Sequence, residues 1–210
     1  MKKNKKFSQL LDEAAAFHGH LCNGQIVGVR MAMCGLSELG IADPLGADRK
    51  KLVVFVEVAR CFADAIMTVT GCRVGKRSFK IVDNGKVAAT FMDMTTGRAV
   101  RIGLRIDLLE KIALKYPGLA EKVAEKSAYS EMTDNELFSA QEVKVLLKDE
   151  DMPGTPMTKV RCMGCGELVL DKREIHQDDR AYCPSCGIGQ TYYTLQSEIP
   201  ELTGRDFFNE

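Results

Sequence analysis

Apolar residues recur along this chain at two spacings, and the switches between them mark out its elements. Residues 8 to 16 (Ser8-Gln-Leu-Leu-Asp-Glu-Ala-Ala-Ala) carry the pattern of a short amphipathic helix. From Asn23 to Gly40, Ile26, Val29, Met33 and Leu36 mark one helical face while Val27, Met31 and Cys34 mark another. A helix apolar on both faces is a buried one, with Asn23 suited to cap its start and Gly40 to stop it. Cys34, mid-helix among apolar neighbours, reads as core. Leu52 to Val58 is a dense run of β-branched and aromatic residues, which predicts a buried strand, and Cys61 to Thr70 fits a short helix closed by Gly71. Phe79 to Val82 and Val87 to Met92 flank Asp83-Asn84-Gly85, the signal of a β-hairpin. A second turn at Thr95-Thr96-Gly97 leads to a strand near Val100 to Leu104, so a meander of antiparallel strands is expected.

Helical patterns return at Leu108 to Lys115 and, after Pro117, at Gly118 to Lys126. Thr133 and Glu136 have the spacing of a capping box, and Met132 with Leu137 that of a hydrophobic staple, predicting a helix that runs to about Leu147. Asp149 to Thr158, with Pro153, Gly154 and Pro156, reads as a linker. The expected organisation is an α+β class protein: an antiparallel sheet packed with helices over residues 1–148, a linker over 149–158, and a small C-terminal zinc ribbon over 159–210.

The ribbon is read from cysteines. Eight occur in 210 residues, four of them arranged as Cys162-x2-Cys165-x17-Cys183-x2-Cys186. Two such pairs at this separation match the spacing of a tetrahedral four-thiolate zinc site, which leaves no coordination position for substrate. A redox pair, two disulfides or an iron–sulfur site are the alternatives. Zinc ribbons often bind nucleic acid, but from Lys159 onward six Lys/Arg stand against nine Asp/Glu, the wrong sign for phosphate. Across the whole chain 29 basic residues balance 29 acidic ones, giving no bias toward nucleic acid or acidic lipid. The Lys-rich start, Met1 to Lys6, is followed by Asp12 and Glu13 where a signal peptide would be apolar, and no run is long enough to span a membrane. The expectation is a cytoplasmic protein.

A second concentration of chemistry lies upstream. His18, His20 and Cys22 fall within five residues. Imidazole and thiolate suit borderline divalent metals, and alternate positions of an extended stretch project to one side. A helix continuing through His18 would instead make His18 and Cys22 neighbours. Cys22 precedes a predicted helix start, where thiolate is stabilised, which suits a metal ligand and a nucleophile equally. Cys61 and Asp64 are three apart on the next helix, Glu57 ends the first strand, and Gly71-Cys72-Arg73-Val74-Gly75-Lys76 combines two glycines with two cations as an anion-approaching loop would.

Phe17-His-Gly-His-Leu-Cys22, Cys61-Phe-Ala-Asp64-Ala-Ile66, Gly71-Cys72-Arg-Val-Gly75-Lys76 and Asp83-Asn-Gly-Lys86 together resemble the FmdE-like family, whose name denotes a component of formylmethanofuran dehydrogenase, over about residues 10 to 105. The likeness is to an archaeal-type member with an appended zinc ribbon. It implies a dimeric α+β core with a second divalent metal, zinc being one candidate, held by His20, Cys22 and Cys61 first, then His18, Asp64 and Cys72. One departure is Asn23, where the family usually has Pro. The resemblance implies a metal-binding accessory protein or enzyme component in one-carbon metabolism, with a protein partner in a molybdenum or tungsten enzyme system. The alternative is a standalone zinc-dependent hydrolase or lyase, with Glu57 or Asp64 as acid–base and Lys76 holding an anionic substrate. A ribbon regulator binding nucleic acid is the third reading.

Overall fold

In the computed structural model, which describes residues 6–155 and 157–197, the chain opens with two helices, α1 (Phe7–His18) and α2 (Asn23–Leu39). Pro156, the Lys-rich residues 1–5 and the charged tail from Glu198 onward lie outside the described residues. Helix α1 continues through His18 and ends at Gly19, whose φ of 94° is open to glycine at little cost. Helix α2 is capped by Cys22 rather than by Asn23, and Gly40 closes it at φ 69°. Residues from Gln25 to Leu36 are buried on more than one face, as the double stripe of apolar positions requires.

Strand β1 (Leu52–Val56) is buried at every position but Phe55, and α3 (Cys61–Thr70) follows it, closed by Gly71. Then come β2 (Phe79–Ile81), β3 (Ala88–Asp93), β4 (Ala99–Leu104), α4 (Leu108–Lys115), α5 (Glu121–Glu131), α6 (Asp134–Leu137) and β5 (Phe138–Val143). The five strands form one sheet in the order β2-β1-β3-β4-β5. Strand β1 pairs parallel with β2, and every other pairing is antiparallel. The mixed α+β class is therefore the observed one.

Two local expectations are corrected. The segments flanking Asp83-Asn84-Gly85 do not pair with each other, because β1 is inserted between β2 and β3. The turn itself forms, with Gly85 at φ 67° and its N–H donating to Asp83 Oδ1 at 3.0 Å. Its next amides close over the end of β1: Asn84 N and Lys86 N both donate to the Glu57 carbonyl, at 2.8 and 3.1 Å. The most apolar strand takes the position with a partner on each side, which a local turn signal cannot report. The second correction concerns the helix expected from Thr133 to about Leu147. The capping box forms, yet α6 lasts one turn and the chain leaves it as β5, the edge partner of β4. Leu137, fully buried, and Met132 anchor the turn, while β5 is buried at Phe138 and exposed from Ala140 to Glu142, as an edge strand can be.

The core of residues 1–154 lies between the sheet and α2, with α3 and α1 packed beside α2. Glycines set that packing. A Cβ on Gly28 would lie 2.6 Å from the Phe62 carbonyl oxygen and 2.8 Å from Ala65 Cβ, and one on Gly35 would fall 2.3 Å from the Phe91 ring.

The second unit, residues 155–210, has two small hairpins, β6 (Lys159–Arg161) with β7 (Leu168–Leu170) and β8 (Ile175–Gln177) with β9 (Arg180–Tyr182), followed by α7 (Pro184–Ile188). Among its described residues the buried apolar ones are Cys162 and Val169, too little core to hold a fold by burial alone. No helix among the described residues is long and apolar enough to cross a membrane.

Gly28→Ala is expected to lower stability in denaturant unfolding by about 1–3 kcal/mol, since helix backbone must move to admit the methyl. Gly75→Ala, where nothing lies within 4 Å, is expected to change little. Equal effects at both positions would show that the α2–α3 approach is not constrained as described.

Candidate metal centres

Among the described residues two clusters of ligand-type side chains emerge, one in each unit. In the first, His18, His20 and Cys22 place one ligand atom each within 4.8 Å of one another. The loop that gathers them is short because α1 must end at His18 and α2 must begin at Asn23, leaving Gly19 to reverse the chain. The two imidazoles lie with centroids 4.8 Å apart, tilted by 40°. His18 is anchored from α3: its Nδ1 is 2.8 Å from Asp64 Oδ2. Its Nε2 is buried and has no hydrogen-bond partner. A buried ring nitrogen without a partner costs free energy unless something occupies it, and a carboxylate on the opposite nitrogen is the usual support of a metal-bound imidazole. The donor set, two nitrogens and a sulfur, fits a borderline divalent cation.

Cys61 lies next to this cluster, outside the group of three. Burial pushes its thiol pKa up, and the neighbouring Cys22 thiol adds to the shift. A Cβ on Gly24 would meet Cys61 Cβ at 2.7 Å, so this glycine is what lets the ends of α2 and α3 come together. Gln25, fully buried, donates from Nε2 to the Cys61 carbonyl at 2.6 Å and fixes the start of α3 from within the core. Asn23 reaches the other way, donating to the Lys122 carbonyl at 2.9 Å and to Glu125 Oε2 at 3.2 Å on α5. A proline there would offer no such donor, so the departure at this position is tied to α5. Gln25 and the Gly24/Gly28 pair went unremarked in the sequence analysis; the four-residue spacing of the two glycines near the start of the helix was the available signal.

The remaining candidates go elsewhere. Cys72 is 2% exposed and donates to the Leu52 carbonyl at 3.5 Å, with burial pushing its pKa up. It sits in the core rather than with the histidines. Arg73 gives Nη1 to the carbonyls of Met67 and Cys72 and lies over the Phe17 ring, 5.7 Å from its centroid. Lys76 is exposed on a short 3₁₀ turn. Glu57 is gripped by Arg101, with Oε1 2.5 Å from Nε and Oε2 3.0 Å from Nη2. That bidentate pair holds the Glu57 carboxyl below its ordinary range and makes it a sheet tie rather than a proton carrier.

The second cluster joins Cys162, Cys165, Cys183 and Cys186, again within 4.8 Å. Backbone amides point at the sulfurs: Cys183 N and Gly164 N at Cys162 Sγ (3.2 and 3.4 Å), and Cys186 N at Cys183 Sγ (3.4 Å). Amides of Cys165 and Cys183 bring the Cys162 pKa down to about 6, whereas contact with Cys183 and Cys162 pushes Cys186 up to about 12. Thiols crowded this closely cannot all ionise without a cation, which four-thiolate coordination supplies. His176 lies apart from them, exposed and 3.7 Å from Glu174. The cluster fits a zinc ribbon.

The Glu57–Arg101 pair yields a signed expectation. A folded-state pKa below the unfolded one contributes stability above the unfolded value and loses it as pH falls through the folded value. Arg101→Gln is expected to weaken unfolding stability near about pH 7 and to flatten the fall in stability between about pH 5 and about pH 3. A variant whose acid dependence matched the wild type would remove Glu57 from the carboxylates responsible.

Known proteins add to this geometry. The sequence profile described as "FmdE, Molybdenum formylmethanofuran dehydrogenase operon" matches residues 17–153. A probable S-adenosyl-L-methionine-binding protein of Archaeoglobus fulgidus is 27% identical over 187 residues, covering 80% of this chain, which spans half the length of that relative. The crystal structure of a tungsten formylmethanofuran dehydrogenase FmdE-like protein from Syntrophus aciditrophicus superposes with a TM-score of 0.59 at 21% identity, covering 90% of this chain and 96% of that one. That likeness speaks for the fold. Since the profile takes in all four core motifs and most of the first unit, the chain belongs to the FmdE family.

Proposed function

We propose that this FmdE-family chain is a metal-binding accessory protein of a molybdenum or tungsten enzyme system, holding one divalent ion in the core and one zinc ion in the ribbon. The observation that carries the core site is His18, with Asp64 on Nδ1 and a buried, unpartnered Nε2. His18, His20 and Cys22 are the ligands in this reading, and Asp64 orients His18. The ribbon ion is structural, since four thiolates close its coordination shell. The family's operon link supports a protein partner, a homodimer is part of the same reading, and the acidic balance of the ribbon disfavours nucleic acid.

Three ligands leave the core ion a position for an exogenous group, so delivery of the ion, binding of a sulfur-containing intermediate and hydrolytic chemistry are all open to the site. The carboxylates available for proton transfer are few, because Asp64 supports His18 and Glu57 is tied to Arg101. This favours binding over catalysis. A second reading takes S-adenosyl-L-methionine as a ligand, on the strength of the similarity to the Archaeoglobus protein; titration calorimetry with that compound decides it.

Metal content of the full chain is expected near two ions per chain, falling to about one in a Cys22→Ala variant and to about one in a Cys162→Ala/Cys165→Ala variant. Asp64→Asn is expected to keep the ligands but weaken core-site affinity about 10–100-fold. Wild-type content near one ion, unaffected by Cys22→Ala, would confine metal to the ribbon and end the core-site reading.

A further inference from the structure

Four cysteines lie in the first unit, and their surroundings divide them. Cys72 is sealed in the core, and Cys34, half-buried in α2, has its pKa pushed up to about 12 by burial and by Asp134. Cys22 and Cys61 differ in their place. Partly buried like Cys34, each stands at the start of a helix, Cys22 as the cap of α2 and Cys61 as the first residue of α3. Positions at helix starts have no preceding turn to restrict their side-chain rotamers, so both sulfurs have room to rotate. Gly24 and Gly28 hold the two helices at close range, and Gln25 pins the Cys61 backbone. The two thiols are mutual neighbours, yet Cys61 is not among the three residues that share the metal-ligand cluster.

We propose that Cys22 and Cys61 form a reversible dithiol–disulfide site whose oxidation takes Cys22 away from the core metal. The dithiol chemistry stands on this geometry alone; its effect on metal rests on the ligand set proposed above. The oxidant is a small-molecule disulfide, RSSR. Cys61, the thiol outside the cluster, loses its proton and attacks one sulfur of RSSR. One RS⁻ departs and takes up a proton, leaving a mixed disulfide on Cys61. Cys22 sulfur then attacks the Cys61 sulfur, the second RS⁻ leaves and is protonated, and the protein disulfide closes. Two protein thiols lose two electrons, and RSSR becomes two RSH. The sulfur of Cys22 is then no longer an anionic donor, which leaves the metal with two imidazoles, one of them on the exposed His20. A small-molecule thiol reverses each step.

The test treats the full wild-type chain and a Cys61→Ser variant with cystamine, then maps peptides without reduction and measures metal before and after. The expected result has two parts. A cross-linked peptide pair carrying Cys22 and Cys61 appears and is dissolved by dithiothreitol, while Cys34 and Cys72 stay unmodified. Wild type also loses about one more metal ion per chain than Cys61→Ser, a difference that cancels any loss from the ribbon common to both. Absence of the Cys22–Cys61 pair in oxidised wild type overturns the proposal, whatever the variant does and however well it folds. Cross-linking with equal metal retention in both proteins overturns the gating of metal. Failure of the core-site reading would show separately, as a wild-type content near one ion before any oxidant is added.

Discussion

The approach of α2 to α3 across Gly24 and Gly28 is the constraint on which the first unit depends. Any side chain at Gly28 would strike the Phe62 backbone, and any at Gly24 would strike Cys61. With both positions empty, the starts of two helices are brought side by side, and everything chemically notable sits there. Cys22 caps one helix, Cys61 opens the other, and Asp64 reaches from the first turn of α3 back to His18 at the end of α1. A metal cluster drawn from the end of α1, the start of α2 and the loop between them, and braced by Asp64 from α3, needs these elements fixed to within about a few tenths of an ångström. Here backbone contact fixes them, with Gln25 adding a hydrogen bond from inside the core.

The two candidate centres solve different electrostatic problems. The ribbon gathers four thiols, with amides donating to the sulfurs of Cys162 and Cys183, and a cation bound there would substitute for the hydrophobic core that its described residues do not supply. The core cluster mixes two imidazoles with a single cysteine sulfur, and its scaffold is already held by burial around Phe62, Phe91 and Ile66. On the proposed reading, loss of a core ion would leave this fold standing, whereas the ribbon's described residues have little else to hold them, so a structural role would fall to the ribbon and an exchangeable one to the core.

What the sequence disclosed followed from how local each signal is. The ribbon was legible because ligand spacing is a property of the chain itself, and the His18–Cys22 segment because its donors are nearly adjacent. The α2 stripe was legible because a helix is a local object. Pairing partners were not: Asn84-Gly85 makes its turn, but which strand lies beside β2 is decided by β1, more than twenty residues upstream. Thr133 and Glu136 form their capping box without dictating how far the helix runs, since edge pairing with β4 outweighs helical propensity from Phe138 on. Glu57 was ambiguous until Arg101, two strands away in the sheet, came into view beside it.

The strand order carries a consequence for how the protein emerges from the ribosome. Strand β1 finds both its neighbours downstream, one at Phe79–Ile81 and the other at Ala88–Asp93. The whole metal cluster, together with Asp64, precedes them, since His18 and its carboxylate partner are 46 positions apart. Helices α1, α2 and α3 thus leave the exit tunnel before the sheet that will cover them can begin to close. For some seconds of translation, at roughly 5–20 residues per second, the nascent chain carries these imidazoles and thiols before the strands that pair with β1 have been made.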